Sequence, residues 1–163
     1  MARNTSVSVN DQTLAPDFLN PIVTPDVTTF AVGDCVACIP DSLGVHKTCT
    51  TPTTAMIGAV SSAIVTDADF GIVTELLSNG NVKVCLQGKV TATVLSTSNT
   101  AIGVESPFIV NTSKQLELDV GSAVNAKFVA LATASATGTS TPALRVVNFD
   151  GLNGFGRYGG TAT

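Results

Sequence analysis

Cys35, Cys38, His46 and Cys49 are the residues whose types and spacing could do chemistry. Together they read C-x2-C-x7-H-x2-C, a set of ligand types that tetrahedral zinc accepts. Their setting argues against a metal. Cys35 and Cys38 lie in AVGDCVACI (31–39), a strand-like run, where residues three apart point to opposite faces. No glycine follows either cysteine to form the tight chelating turn. The cysteines read instead as small buried hydrophobes, Cys85 with them. Synthesis in a cytosol disfavours disulfides at first, although the four thiols could pair later outside a cell. His46, the only histidine, falls in a Thr-rich loop. A Cys/His or Ser/His/Asp nucleophile finds no supporting motif there, neither a G-x-S-x-G elbow nor H-E-x-x-H. Asp67 and Asp69 supply two carboxylates, short of the roughly six to eight oxygens calcium takes, and read as an exposed acidic turn. GLNGFGRYGG (151–160) has the glycines of a phosphate loop but no following strand-to-helix step and no GK[ST]. No catalytic, cofactor-binding or metal-binding residue is therefore expected, and the chain is not read as an enzyme.

The elements that must carry these residues centre on DFGIVTELLSNGNVKVCLQGKVTATV (69–94). Asn79-Gly80 is the strongest short hairpin signal, because both turn residues take positive φ. With those two as the loop, Leu77 lies opposite Val82, and Val73 and Leu77 share a face with Val82, Val84 and Leu86. The third run, Val90–Val94, follows Gln87-Gly88. A plain two-residue turn there would flip its side chains to the wrong face. An odd count, with 87–89 as the loop or Gly88 in a bulge, sets Leu86 opposite Val90 and Val82 opposite Val94. A three-strand antiparallel meander with a bulge near Gly88 is predicted.

The totals bound the partners. The chain has 163 residues, enough for one domain with a core or two small β units fused together. A formal charge of -4 with only 12% charged residues is the wrong balance for neutralising phosphates, so no nucleic-acid partner is expected. Thr and Ser make up about a fifth of the chain, so the outward strand faces should be hydroxyl rather than ionic. Such a low-charge surface suits contact with other subunits better than a free monomer. No apolar run reaches membrane-spanning length and MARNTSVSVNDQ has no signal-peptide pattern, so no membrane partner is expected and synthesis falls in the cytoplasm.

Residues 1–30 carry Pro16, Pro21 and Pro25 between spaced apolar residues. They read as an extended arm, with a short strand at Val7–Val9, or as a disordered terminus; the anchors Phe18, Leu19 and Ile22 favour the arm. The β-rich core follows at 31–149, divisible into units at about 31–94 and 101–149. Within it, strands are predicted at Ala31–Ile39 and Ala55–Val65, with a loop at 40–54 between them. Further strands are expected at Ala101–Val110, Leu116–Val120, Asn125–Thr133 and Ala143–Phe149, with a turn at Asn111–Lys114. Val120–Ala136 has both helical spacing and strand character; strand is preferred. AVGDCVACI at 31 resembles AIGVESPFI at 101, and AMIGAVSSA at 55 resembles AKFVALATA at 126, which points to a duplicated β unit. The Gly-rich tail 150–163 reads either as loose chain or as a strap. Phe149, Leu152, Phe155 and Tyr158, spaced three apart, are its candidates for intersubunit contact alongside Phe18, Leu19 and Ile22.

Val32-Gly33-Asp34, Ala55–Val60, Val82–Val90, Ser106–Leu116, Lys127–Ala136 and Leu144–Phe149 form an ordered series of β-formers and glycines. The series resembles the small head decoration, or cement, proteins of tailed bacteriophages across roughly residues 31–149. The resemblance implies an all-β, antiparallel β-barrel or tulip-like domain on the outer capsid surface of a virion. It also implies a homotrimer, the major capsid protein as partner, and no catalysis or cofactor. The alternative is a virion adhesin or tail component that binds a host glycan, which the absence of Trp and an aromatic content of 5% disfavour.

Overall fold

The computed structural model describes residues 18–26, 29–57, 68–96, 100–118, 126–138 and 140–155. The chain closes two five-stranded barrels in succession. The first uses β1 (Ile22–Pro25), β2 (Cys35–Pro40), β3 (His46–Thr50), β4 (Asp69–Leu76) and β5 (Val82–Cys85), with a four-residue helix, α1 (Thr54–Ile57), after β3. The second uses β6 (Gln87–Leu95), β7 (Pro107–Val110), β8 (Leu116–Leu118), β9 (Ala130–Ala132) and β10 (Ala143–Asp150). The protein is all-β and mostly antiparallel, as its sequence patterns predict. Closing each sheet on itself removes the edges through which open sheets aggregate.

Both barrels have one connectivity. The first strand runs parallel to the third and antiparallel to the fifth; the second pairs antiparallel with the third and fourth, and the fourth with the fifth. The turns repeat as well. Ahead of β2, Ala31 N–H donates to Asp34 Oδ2 and Asp34 N–H to the Ala31 carbonyl. Ahead of β7, Gly103 N–H donates to Ser106 Oγ and Ser106 N–H to the Gly103 carbonyl. The third residue of each turn is left-handed, Gly33 at φ 94° and Glu105 at φ 63°. In the β2–β3 hairpin, Asp41 Oδ1 accepts the N–H groups of Leu43 and Val45; in the β7–β8 hairpin, Asn111 Oδ1 accepts those of Ser113 and Gln115. An Asx turn thus closes the same hairpin twice. The likeness of residues 31–39 to 101–109 therefore spans equivalent turns and strands but is out of step at the turns, where Gly33 is the third residue and Gly103 the first. The second likeness does not: Ala55–Ile57 belongs to α1, whereas the counterpart of β9 is β4.

Two cores follow from these closures. Val23, Val36, Cys38, Cys49, Val73, Val82, Val84 and Leu86 fill the first barrel. Cys35, Ala37, Phe70, Ile72 and Cys85 belong to the other core, with Val90, Phe108, Leu116, Val147 and Phe149 of the second barrel. The strands β2, β4 and β5 are thus covered on both faces, by their own barrel inside and by the second barrel outside. That is why Cys35–Cys38 is continuously buried instead of alternating.

The predicted meander is corrected. The β4–β5 hairpin forms with a three-residue loop, Leu77 N–H donating to the Asn81 carbonyl, and Leu76 rather than Leu77 faces Val82. A bulge at Thr74 then restores the parity, so Val73 pairs with Val84 and still shares a core with Val82 and Leu86. The third run does not pair with β5 at all. Leu86 exchanges backbone bonds with Leu19 and Gly151, and the chain passes at Gly88, φ 135°, into β6 of the second barrel. Val90, Ala92 and Val94 do face a core, but the other one.

Other expectations change with this division. The boundary between units falls at Leu86, not in the linker at 95–100. Residues 22–25 of the expected arm are a barrel strand, because Val23 is the inward residue that completes the first core between β3 and β5. The expected loop at 40–54 contains β3, whose Cys49 supplies another inward side chain. The expected strand at 55–65 begins as α1, and its residues 58–67 lie outside those described. Within Val120–Ala136, the described part contains strand β9; residues 119–125 lie outside. The tail is partly folded: β10 runs to Asp150, whose Oδ1 accepts the N–H groups of Leu152 and Asn153, and Phe155 N–H donates to the Phe128 carbonyl.

Candidate functional site

Two regions of the fold gather groups that could serve function: one end of the first barrel, and the apolar side chains left on the outer surface. At the barrel end, His46 on β3 donates or accepts a 2.7 Å bond with Asp69 on β4. Cys38 on β2, the strand between β3 and β4, lies opposite Asp69 on one side and Cys49 on the other, whereas His46 pairs with Pro40. No hydrogen bond links His46 to a sulfur among the described residues, and the thiols are poor nucleophiles where they stand. Burial first, and nearby negative charge second, push the Cys35 and Cys38 thiols well up. Cys49 is pushed up to about 12 by burial and by Asp26. Among the described residues, no group of three or more His, Cys, Asp or Glu side chains is arranged to hold a metal ion. The divided placement of Cys35 and Cys38 is the reason: they point into different cores.

The hairpin beside this cluster is well tied. Asp41 bonds Lys47 at 2.8 Å as well as its two backbone donors, and these bonds, the lysine's foremost, hold its carboxyl down to about 2. Leu43 stands at the tip, 84% exposed. At the other end of the same barrel a cleft of about 370 Å³ opens between Thr24, Asp26, Phe30, Leu77 and Asn81. In the second barrel the corresponding end is a narrower recess lined by Val94, Ser96, Ile102, Ala143 and Arg145.

The outer face of the β6–β10 pair carries exposed apolar side chains. Leu144 and Val146 point outward opposite Thr93 and Thr91. Val32 is exposed beside them, its neighbour Gly33 being so close to Leu144 that an added Cβ would lie 2.5 Å from Leu144 Cδ2. Gly33 also joins the barrels, donating its N–H to Val73 and accepting from Thr93. Thr133 Oγ1 caps the Val146 carbonyl. The face therefore presents aliphatic and hydroxyl groups on rigid backbone, with little charge.

The contact residues read from the sequence divide into three groups. Phe18, Leu19 and Ile22 are exposed, at 62%, 43% and 56%, and Phe155 is exposed as well. Leu19 and Ile22 run beside β5, where the Leu19 carbonyl accepts Leu86 N–H and Ile22 pairs with Lys83. Phe149 is corrected: its ring is in the chain's own core, 2% exposed, and cannot reach a neighbour. Leu152 packs against the first barrel's core for the same reason, its turn being tied by Asp150. Tyr158 lies outside the described residues, as do Asp67 and the expected Val7–Val9 strand. Sequence reasoning missed Leu43, Leu144 and Val146. The signal for the last two was present in ALRVVNFD, where apolar residues occupy both parities of the strand, but only the register tells which parity faces out.

No family model matches the chain, and no curated protein matches it.

Proposed function

We propose that this chain is a structural protein of a virion, a head decoration protein that sits on the outer capsid surface and ties neighbouring subunits of the major capsid protein together. In this reading it works as a homo-oligomer, a trimer at local three-fold positions, and is made in the host cytoplasm before assembly. The observation that carries the reading is the set of large apolar side chains held outward on hydrogen-bonded backbone. Leu19 and Ile22 flank β5, and Leu144 and Val146 stand on β10. Isolated surface apolar residues are ordinary, but several on rigid, weakly charged faces favour burial against a partner. A protein that buries such faces across joints in an assembled shell, and not against separated subunits, stabilises the shell by linkage.

Two double variants test this: L19D/I22D and L144D/V146D, each added to phage heads that lack the protein and pelleted with them. All four side chains are surface-exposed, so the variants should fold. At least one is expected to bind ten-fold or more weakly than the unmodified chain. Binding by both at the unmodified level contradicts the proposal.

A further inference from the structure

We propose that Cys38 and Cys49 are a built-in disulfide site, closed by exchange with an oxidised thiol such as glutathione disulfide. The two cysteines are direct partners across β2 and β3, and both side chains point into the first barrel. The backbone bonds define the kind of pair. Asp26 N–H donates to the Cys49 carbonyl, so Cys49 turns its backbone groups toward β1. Val73 N–H on β4 donates to the Asp34 carbonyl, whereas Cys35 N–H donates away from β4, to Lys114. Backbone direction alternates along a strand, so Cys38, like Asp34, faces β4. Neither cysteine spends its backbone groups on the other, and the two form a non-hydrogen-bonded pair. In such pairs the Cα atoms are about 4.5 Å apart with side chains at their closest, inside the roughly 4.4–6.8 Å range of disulfides. After burial, charge on Cys49 is the next influence keeping the Cys38 thiol protonated, as expected of adjacent sulfurs.

Register excludes the other pairings. Cys35 and Cys85 both pair with Ile72, from opposite sides of β4, which places them two strand spacings, about 9–10 Å, apart. Every remaining pairing would join Cys35 or Cys85, in one core, to Cys38 or Cys49, in the other. The equivalent pair in the second barrel is Phe108 and Leu118, an ordinary hydrophobic contact, so the barrel does not need sulfur at this position to fill its core.

In the exchange, one cysteine thiolate attacks glutathione disulfide and releases one glutathione thiolate. The second cysteine displaces the other, leaving the Cys38–Cys49 bond; the oxidant takes up two electrons, and the two cysteine protons end on the two glutathione thiolates, giving two glutathione thiols. The closed barrel keeps both thiols buried and protonated, so exchange runs during local opening of β3 and is accelerated by mild denaturant.

The test uses the full reduced chain, incubated with glutathione disulfide at about pH 8, with and without urea below the unfolding midpoint. Thiols are then counted under denaturing conditions and the peptides mapped. The expected result is a fall from four free thiols to two, with one intrachain Cys38–Cys49 link. Closing that short loop should raise the melting temperature by roughly 5–10 °C, reversed by dithiothreitol. The variant C35A/C85A should oxidise in the same way, and C38A and C49A should gain neither the link nor the thermal shift. Four thiols surviving both incubations, glutathione adducts alone, or a link through Cys35 or Cys85 overturns the proposal. These outcomes are independent of where the protein works.

Discussion

Gly151→Ala is expected to destabilise the chain by roughly 4–5 kcal/mol and to lower its melting temperature by about 10–20 °C. Gly151 sits where β10 leaves the second barrel and crosses the end of the first. Its N–H donates to the Leu86 carbonyl at 2.9 Å, and its carbonyl accepts Phe70 N–H at 3.0 Å. A Cβ there would overlap the Phe70 carbonyl, lying 2.6 Å from its carbon, and would stand 2.9 Å from the Phe149 ring. The obstacle is backbone on one side and a buried aromatic on the other, so no rotamer change relieves it. The joint must open, which strands two buried backbone bonds and separates the Phe70 and Phe149 faces of a shared core. Gly80→Ala is the control. Unlike Gly151, that glycine has positive φ, 86°, but nothing lies within 4 Å, so only the backbone penalty of about 1–2 kcal/mol applies. Equal losses for the two variants, read from chemical unfolding, would show that the joint is not rigid.

Removing residues 1–25 should abolish the first barrel, whereas removing 1–17 should leave every described strand in place. The longer deletion takes away β1, which closes the sheet by pairing with β3 on one edge and β5 on the other. Two unpaired edges then appear, and the inward Val23, 1% exposed, is lost from a core of few large side chains. The second barrel suffers as well, since Phe70, Ile72 and Cys85 form part of its core from the outer face of the first. Far-ultraviolet circular dichroism with thermal melting distinguishes the cases. A cooperative transition is expected for the chain that begins at Phe18, and a broad, early one for the chain that begins at Asp26. A native-like melt of the shorter chain would mean that β1 is dispensable for closure.

Much of this architecture was legible in the sequence, and its failures share a cause. Period-two patterns and turn residues located most strands, and the Asn111–Lys114 turn joins the two predicted strands. The opposed directions of Cys35 and Cys38 followed from parity alone. Parity also placed Val90, Ala92 and Val94 against a core, but it could not say which of two cores. A strand covered on both faces, like β2, loses the alternation that would reveal its neighbours. The Thr74 bulge and the three-residue turn are compensating single-residue shifts, invisible to a pattern with period two. The glycines after Phe149 suggest loose chain and a neighbour for its ring, whereas Gly151 and Gly154 permit close backbone approach, at Phe70 and Phe128. The exposed Leu144 and Val146 could not be recognised before register fixed the outward parity.

The most direct measurement compares phage heads with and without this protein, heated in parallel, following genome release and imaging the surface. If the two barrels act as a clamp, added protein should appear as ordered knobs outside the shell and saturate at a fixed number per head. The rupture temperature should rise with occupancy, because only the assembled shell offers the bridged sites. Heads that bind none of it, or that bind it and rupture at an unchanged temperature, would contradict the decoration role.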